Sequence, residues 1–319
     1  MGIADLLAMI LPTFGLIAVG FAAGRLRLLP DSVGEGLASF VFAIGLPLLL
    51  MRSVARASLP DLSPWPFWLT YFTGVAVVWT AGHLLVRRAF RQDEKVAVIG
   101  GLTAAFSNLV LLGIPIVYTA YGEAGAVPLL LLVSVHLPVM ATASAILFER
   151  IESRERGGAV HPVVLARRIA KNLVRNPLII GIATGLVLNV TGIGLGGVPK
   201  AIVDQLADSA IACALFSMGL GLKRYGIRDN LAGGLAMASL KVVVMPAVVF
   251  LMATRVAGLP PLWTAVATTL AACPTGVNAY LFATRFGVGH GLASNGITLS
   301  TIAAVFTITG WMLITGAYG

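Results

Sequence analysis

In two stretches of otherwise apolar sequence, an asparagine lies within a few residues of a proline and a glycine. The first reads Phe106-Ser107-Asn108-Leu109-Val110-Leu111-Leu112-Gly113-Ile114-Pro115, the second Ala271-Ala272-Cys273-Pro274-Thr275-Gly276-Val277-Asn278-Ala279-Tyr280. Proline inside a helix removes a backbone donor and clashes with the preceding turn. Gly113 and Gly276 lower the resistance to unwinding further. A helix broken inside an apolar medium exposes N–H groups and the positive end of a half-helix dipole. Such an end holds a carboxylate without any buried cationic side chain. The backbone around Pro115 and Pro274 is expected to supply those donors. Asn108 and Asn278 add amide donors and acceptors, and Ser107 and Thr275 add hydroxyls. Either motif alone reads better as a kink packed on a neighbouring helix. Two such motifs in equivalent slots of two halves favour a substrate site.

Two other residues carry chemistry at depth. Lys241 lies ten residues into an apolar span, about 15 Å along a helix, where a lysine costs about 2.5–3.5 kcal/mol on insertion scales. It either ties its helix to backbone carbonyls of an unwound neighbour or titrates as a coupling group. His136, in Val135-His136-Leu137-Pro138, is mid-depth in its span. It is either a proton carrier or a neutral, hydrogen-bonded ring. The acidic candidates Glu35, Glu123 and Glu149 fall at span ends and Asp5 near the start, and no Asp-Asp pair lies within a span. Cys213 and Cys273 read as small packing residues, so no metal or cofactor is expected. No nucleophile with a base, acid pair or ligand cluster lies at depth, which argues against an enzyme.

The elements that position these residues follow from hydropathy. Of 319 residues, 58% are hydrophobic and only 11% charged, and the mean hydropathy is +0.94. Soluble domains carry roughly 25% charged residues, so this chain could not cover a globular surface in water. Apolar stretches bounded by charge, proline or glycine mark ten spans, near 5–25, 32–52, 65–87, 95–121, 126–149, 174–191, 200–223, 231–255, 262–285 and 290–316. Trp65, Trp68, Trp263 and Trp311 fall near the expected interfaces and read as belt residues. With the N-terminus outside, the cytoplasmic side receives seventeen basic residues. They run from Arg25 and Arg27 through Arg87, Arg88, Arg91 and Lys95, the loop residues Arg150, Arg154, Arg156, Arg167, Arg168, Lys171 and Arg175, to Lys223, Arg224, Arg228 and Arg285. Only Arg52, Arg56, Lys200 and Arg255 remain outside. That asymmetry obeys the positive-inside rule and puts both termini outside a cell (inner) membrane. It also gives the net charge of +9 a topological meaning. The basic residues are scattered among loops without a binding motif, so nucleic acid is not a partner.

The chain divides into residues 1–149, a basic cytoplasmic linker at 150–173, and residues 174–319, with five spans on each side of the linker. An odd number per half inverts the second half relative to the first, the arithmetic of many secondary transporters. Short echoes between the halves agree: Phe42-Ala43-Ile44-Gly45-Leu46-Pro47 with Leu215-Phe216-Ser217-Met218-Gly219-Leu220, and Ala120-Tyr121-Gly122 with Arg285-Phe286-Gly287.

Asn108 with Gly113-Ile114-Pro115, the run from Pro274 to Tyr280, Leu215–Leu220, and Leu240-Lys241 before Pro246 together resemble the auxin efflux carrier family over essentially the whole chain. That family includes bacterial malonate-type carriers and plant auxin carriers. The resemblance implies an all-α membrane fold of ten helices in two inverted five-helix repeats, sodium/bile-acid symporter-like. Its helices 4 and 9 would cross at their prolines, and a transport domain would shift against a scaffold in an elevator motion. It also implies organic-anion substrates and often a homodimer. The long cytoplasmic domain of the plant carriers has no counterpart between the halves here. The expected function is secondary transport of a small carboxylate, such as malonate or an auxin-like acid, by alternating access, with proton coupling open. An anion channel or a carboxylate-binding membrane sensor are the alternatives.

Overall fold

A computed structural model describes residues 3–57, 63–156, 170, 174–225 and 230–316. Much of the predicted linker, with His161, Arg167, Arg168 and Lys171, lies outside the described residues, as does Arg228. Twelve helices carry the argument: α1 Ile3–Arg25, α2 Asp31–Arg56, α3 Trp65–Ala89, α4 Glu94–Ala105, α5 Ile114–Tyr121, α6 Ala126–Arg156, α7 Pro177–Thr191, α8 Gly197–Tyr225, α9 Leu231–Val256, α10 Pro261–Ala272, α11 Asn278–Phe286 and α12 His290–Thr315. No strand occurs among the described residues. Seven stretches are long and apolar enough to cross a membrane: Leu7–Arg25, Asp31–Arg56, Trp65–Ala89, Leu109–Arg154, Gly197–Lys223, Leu231–Val256 and His290–Thr315. The protein is therefore an all-helical, multi-pass membrane protein. The 46-residue stretch Leu109–Arg154 holds the end of the fourth predicted span and the whole of the fifth. It turns at Gly122, whose φ of 55° suits glycine. The sixth predicted span and the first half of the ninth are the shorter apolar helices α7 and α10.

Three mid-span prolines are absorbed in the same way. Pro47, Pro115 and Pro246 each follow a five-residue π turn by two positions: Val41–Gly45, Leu109–Gly113 and Leu240–Val244. The wider turn relieves the clash between the proline ring and the preceding carbonyl, so the helix continues.

The helices pack in two groups. α1 lies along α8, and α2 along α7 and α8. Glycine makes these seams: a Cβ would meet the Phe216 carbonyl oxygen at 2.3 Å from Gly20, the Ile17 oxygen at 2.1 Å from Gly219, and the Pro47 oxygen at 2.4 Å from Gly181. In lipid there is no hydrophobic drive between helices, so such close backbone approach is what holds them. The Asn189 amide nitrogen closes the end of α2, its two hydrogens shared among the carbonyls of Val54, Ala55 and, just past the helix, Ala57 at 3.0, 3.2 and 2.8 Å. The other group packs α3, α4, α9, α10 and α12 around the fourth and ninth spans, with α6 beside them. Trp263 belongs to this interior, edge-on to Phe67 at 5.3 Å, whereas Trp65 is exposed as a belt residue would be.

Ion pairs gather at the ends. Asp204 binds Arg52 at 3.1 Å, Arg56 at 3.3 Å and Lys200 at 2.5 Å, and Arg52 also binds Asp208 at 2.8 Å. Elsewhere Lys223 meets Asp31 and Arg154 meets Glu94. The three basic residues around Asp204, namely Arg52, Arg56 and Lys200, are ones the charge count assigned to one side.

Candidate functional site

Both expected interruptions are present and lie against each other. α4 ends at Ala105, the chain runs extended through Phe106, and helix resumes after Asn108 in the π turn Leu109–Gly113. α10 ends at Ala272 and helix resumes at Asn278. Between them Ser107 and Thr275 form an isolated antiparallel bridge. The Asn108 N–H donates to the Pro274 carbonyl at 2.9 Å, and the Gly276 N–H donates to the Phe106 carbonyl at 2.7 Å. A Cβ on Gly276 would press on the Phe106 ring and the Ser107 carbonyl at 3.2 Å each, so any larger residue there would push the two segments a few tenths of an ångström apart. Pro274 stands at the meeting point, as expected. Pro115 does not: the fourth span opens at Phe106–Asn108, and Pro115 is buried in the first turn of α5. The π turn dissipates the proline's local cost, while pairing with the ninth span decides where the helix opens.

Asn108 caps the resumed helix, its Oδ1 accepting the Leu111 N–H at 3.3 Å and its Nδ2 reaching Met218 Sδ at 3.4 Å. The Asn278 amide is half-buried and makes no side-chain hydrogen bond among the described residues. The hydroxyls have structural duties. Ser107 Oγ shares a hydrogen bond of 2.7 Å with the Tyr71 hydroxyl. Thr275 Oγ1 donates to the Thr103 carbonyl at 2.7 Å, and its N–H donates to Ser300 Oγ at 3.0 Å. Tyr71, Met218 and Ser300 thus hold the crossing, yet none bears a sequence mark of that role. Only Met218 fell in a segment the sequence had singled out.

Lys241 is fully buried and donates to the Ala271 carbonyl at 2.5 Å. A cation at the carbonyl end of α10 complements that half-helix's dipole, the geometry expected of a tether. His136 is 3% exposed, and neither ring nitrogen has a hydrogen-bond partner. Tyr71, Phe72 and Phe106 surround its ring with centroids at 5.7, 6.4 and 5.2 Å.

These residues share a cavity of about 80 Å³, lined by Ser107, Asn108, His136, Gly276, Val277 and Asn278, with Phe42, Phe106 and Val133 among its apolar walls. An adjoining cavity of about 150 Å³ shares Phe42, Asn108, Leu111 and Val277 with it and reaches Asp31, Glu35 and Tyr225. A third, of about 370 Å³, is lined by Ser53, Arg56 and Glu123, and there the Ser53 hydroxyl bonds that of Tyr118. Neither of the first two is lined by lysine or arginine. The first turns of α11 and of the helix after Asn108 bring positive dipole ends to the smaller cavity, an environment that suits an anion, although the N–H groups of Leu109, Leu111, Ala279 and Tyr280 are bonded within the protein. No cluster of metal-ligating side chains occurs among the described residues.

A family model described as "Membrane transport protein" matches residues 5–312. The chain belongs to this family. It is a membrane transport protein and not an enzyme, and the resemblance to auxin efflux carriers stands. It is similar to a protein of Rhizobium meliloti (strain 1021) named "Putative malonate transporter", 26% identical over 315 residues that cover 98% of this chain and 96% of the relative. It is also similar to the "Lysosomal cholesterol signaling protein" of Mus musculus, 23% identical over 227 residues, 69% of this transport protein but 26% of the mouse chain.

Proposed function

We propose that this transport protein is a secondary carrier that moves a small carboxylate by alternating access, the ligand lying in the cavity at the crossing of the fourth and ninth spans. One observation carries the reading. Two half-helix N-termini meet at one cavity beside Asn108 and an Asn278 whose side chain has no partner among the described residues, with no fixed cation in the lining. Such broken helices bind carboxylates at the midplane of other carriers.

The larger design is read as ten spans in two inverted halves, residues 1–149 and 174–319. The packing supports this, because α1 on α8 and α7 on α2 are one pairing made twice: first span with seventh, sixth with second. On this reading α1, α2, α7 and α8 are the scaffold and the remaining helices the moving body, with the cavities between them. The positive-inside count makes the 150 Å³ cavity the cytoplasmic entrance and the Ser53–Tyr118 contact the closed outer end. The protein works in a cell inner membrane with both termini outside, as a homodimer. Malonate leads as substrate because a relative bears that name and because a cavity of about 80 Å³ suits a compact acid better than an indole acid.

The test is radiolabelled malonate uptake into proteoliposomes, competed by a panel of carboxylates. Saturable uptake with counterflow is expected. Flux without saturation would make the protein a channel, and binding without flux would make it a sensor.

A further inference from the structure

We propose that His136 is the proton-bearing group of this cavity: a carboxylate entering it draws a proton onto the imidazole, and the two are carried together. The proposal rests on the carrier reading above and names the partner ion of that same site.

The first support is a polar side chain left over by the fold. His136 is 3% exposed, and neither ring nitrogen is hydrogen-bonded, although buried polar groups are paired in the great majority of cases. The Ser107 backbone comes close enough to the ring for a weak polar contact, short of the geometry of a formed hydrogen bond. The second support is position. The ring lines the cavity shared by Asn108 and Asn278, and the flanking rings of Tyr71, Phe72 and Phe106 fix its plane. Its unpaired nitrogens are therefore the free polar atoms on that wall.

The surrounding charges make proton and anion interdependent. From α3 the titratable neighbour is Tyr71, whose hydroxyl is shared with Ser107. From α9 the charged neighbour is Lys241, bonded to the Ala271 carbonyl at the end of α10. Cys273, after α10, is buried beside Lys241. No acidic side chain lines the cavity. A lone imidazolium would sit among aromatic walls with a like charge near it, and a lone dianion would have only dipole ends to answer it. Together they neutralise each other, so each strengthens the binding of the other. The proton enters from the open side and leaves with the ligand on the other. A monocarboxylate then moves without net charge, and a dianion moves with one net negative charge.

The experiment is calorimetric titration of the purified protein with malonate at one pH in two buffers of different ionisation enthalpy. The difference in heat counts the protons taken up per ligand. The wild-type protein should take up close to one proton per malonate where the free imidazole is neutral. His136→Gln keeps an amide donor, so it should bind malonate up to about tenfold more weakly and take up no proton; His136→Asn repeats the test if the glutamine variant does not fold. Equal proton uptake in wild type and variant would overturn the proposal and place the proton elsewhere than on His136. Malonate binding without proton uptake by the wild type would overturn it and leave the carrier reading standing. No binding of malonate, succinate or benzoate would remove both.

Discussion

Asn108 and Asn278 look alike in sequence, but the structure separates them, and that separation is testable. Asn278→Ala removes an amide that has no side-chain partner among the described residues and is half-buried at the cavity. A hydrogen bond to a charged group contributes about 1.5–3 kcal/mol. At 1.4 kcal/mol per tenfold, malonate affinity should fall by about 10- to 100-fold. The melting temperature should stay put, because no contact is lost and alanine is a good helix former. Asn108→Ala should weaken malonate binding as well and also remove a helix cap, Oδ1 on the Leu111 N–H, and the contact with Met218. A lost cap costs about 0.5–2 kcal/mol, which corresponds to a fall of roughly 1–3 °C for a protein of this size. The assay is initial-rate uptake against malonate concentration in proteoliposomes, paired with a thermal scan of each purified variant in detergent. Wild-type affinity in Asn278→Ala would remove the amide from the site. A fall in its melting temperature equal to that of Asn108→Ala would show Asn278 to be a structural residue, and the argument from its missing partner would fail.

Two further outcomes follow from the packing. Lys241→Met loses a charged hydrogen bond worth about 1.5–3 kcal/mol and also sheds the roughly 2.5–3.5 kcal/mol cost of a central lysine. Its melting temperature should therefore move by only a few degrees while malonate uptake drops at least tenfold; unaltered initial rates would rule out a part for Lys241 in transport. Gly219→Ala drives a Cβ to within 2.1 Å of the Ile17 oxygen, and overpacking of that kind costs about 1–3 kcal/mol or more. It should melt well below Gly310→Ala, whose Cβ meets nothing within 4 Å, and equal melting curves would dissolve the claim that the α1–α8 seam needs glycine.

Much of this arrangement could be read before any coordinates, because a bilayer constrains sequence so tightly. The charge count put Arg52, Arg56 and Lys200 on one side, and all three bind Asp204. The paired Asn and Pro motifs located the stretch where Ser107 meets Thr275. For Lys241 the sequence narrowed the choice to carbonyls of an unwound neighbour or a titrating role, and Ala271 is such a carbonyl. The opening of the fourth span was misread by several residues, because proline is a local signal and the opening is a tertiary one. Pro115 is absorbed by a π turn, whereas Asn108 is held out of the helix by the Pro274 carbonyl, 166 residues away. For the same reason Thr275 reads as a free hydroxyl but is spent on Thr103.

His136 is the opposite case, a side chain whose importance lies in what it lacks, and absence of a partner is never written in a one-dimensional pattern. That lack bears on why a proposed anion site has no arginine or lysine in its lining. A permanent cation would hold a dicarboxylate on both sides of the membrane alike, and a transported ligand must leave as readily as it enters. Helix N-termini contribute only about half an elementary charge each, enough to receive a carboxylate without trapping it. An imidazole that gains charge with the ligand and loses it on release supplies the rest of the attraction only while the ligand is present. Substituting His136 with a permanent cation therefore makes the sharpest comparison. His136→Lys should bind malonate at least as tightly as the wild type yet exchange it more slowly, and faster exchange would show that release is limited elsewhere.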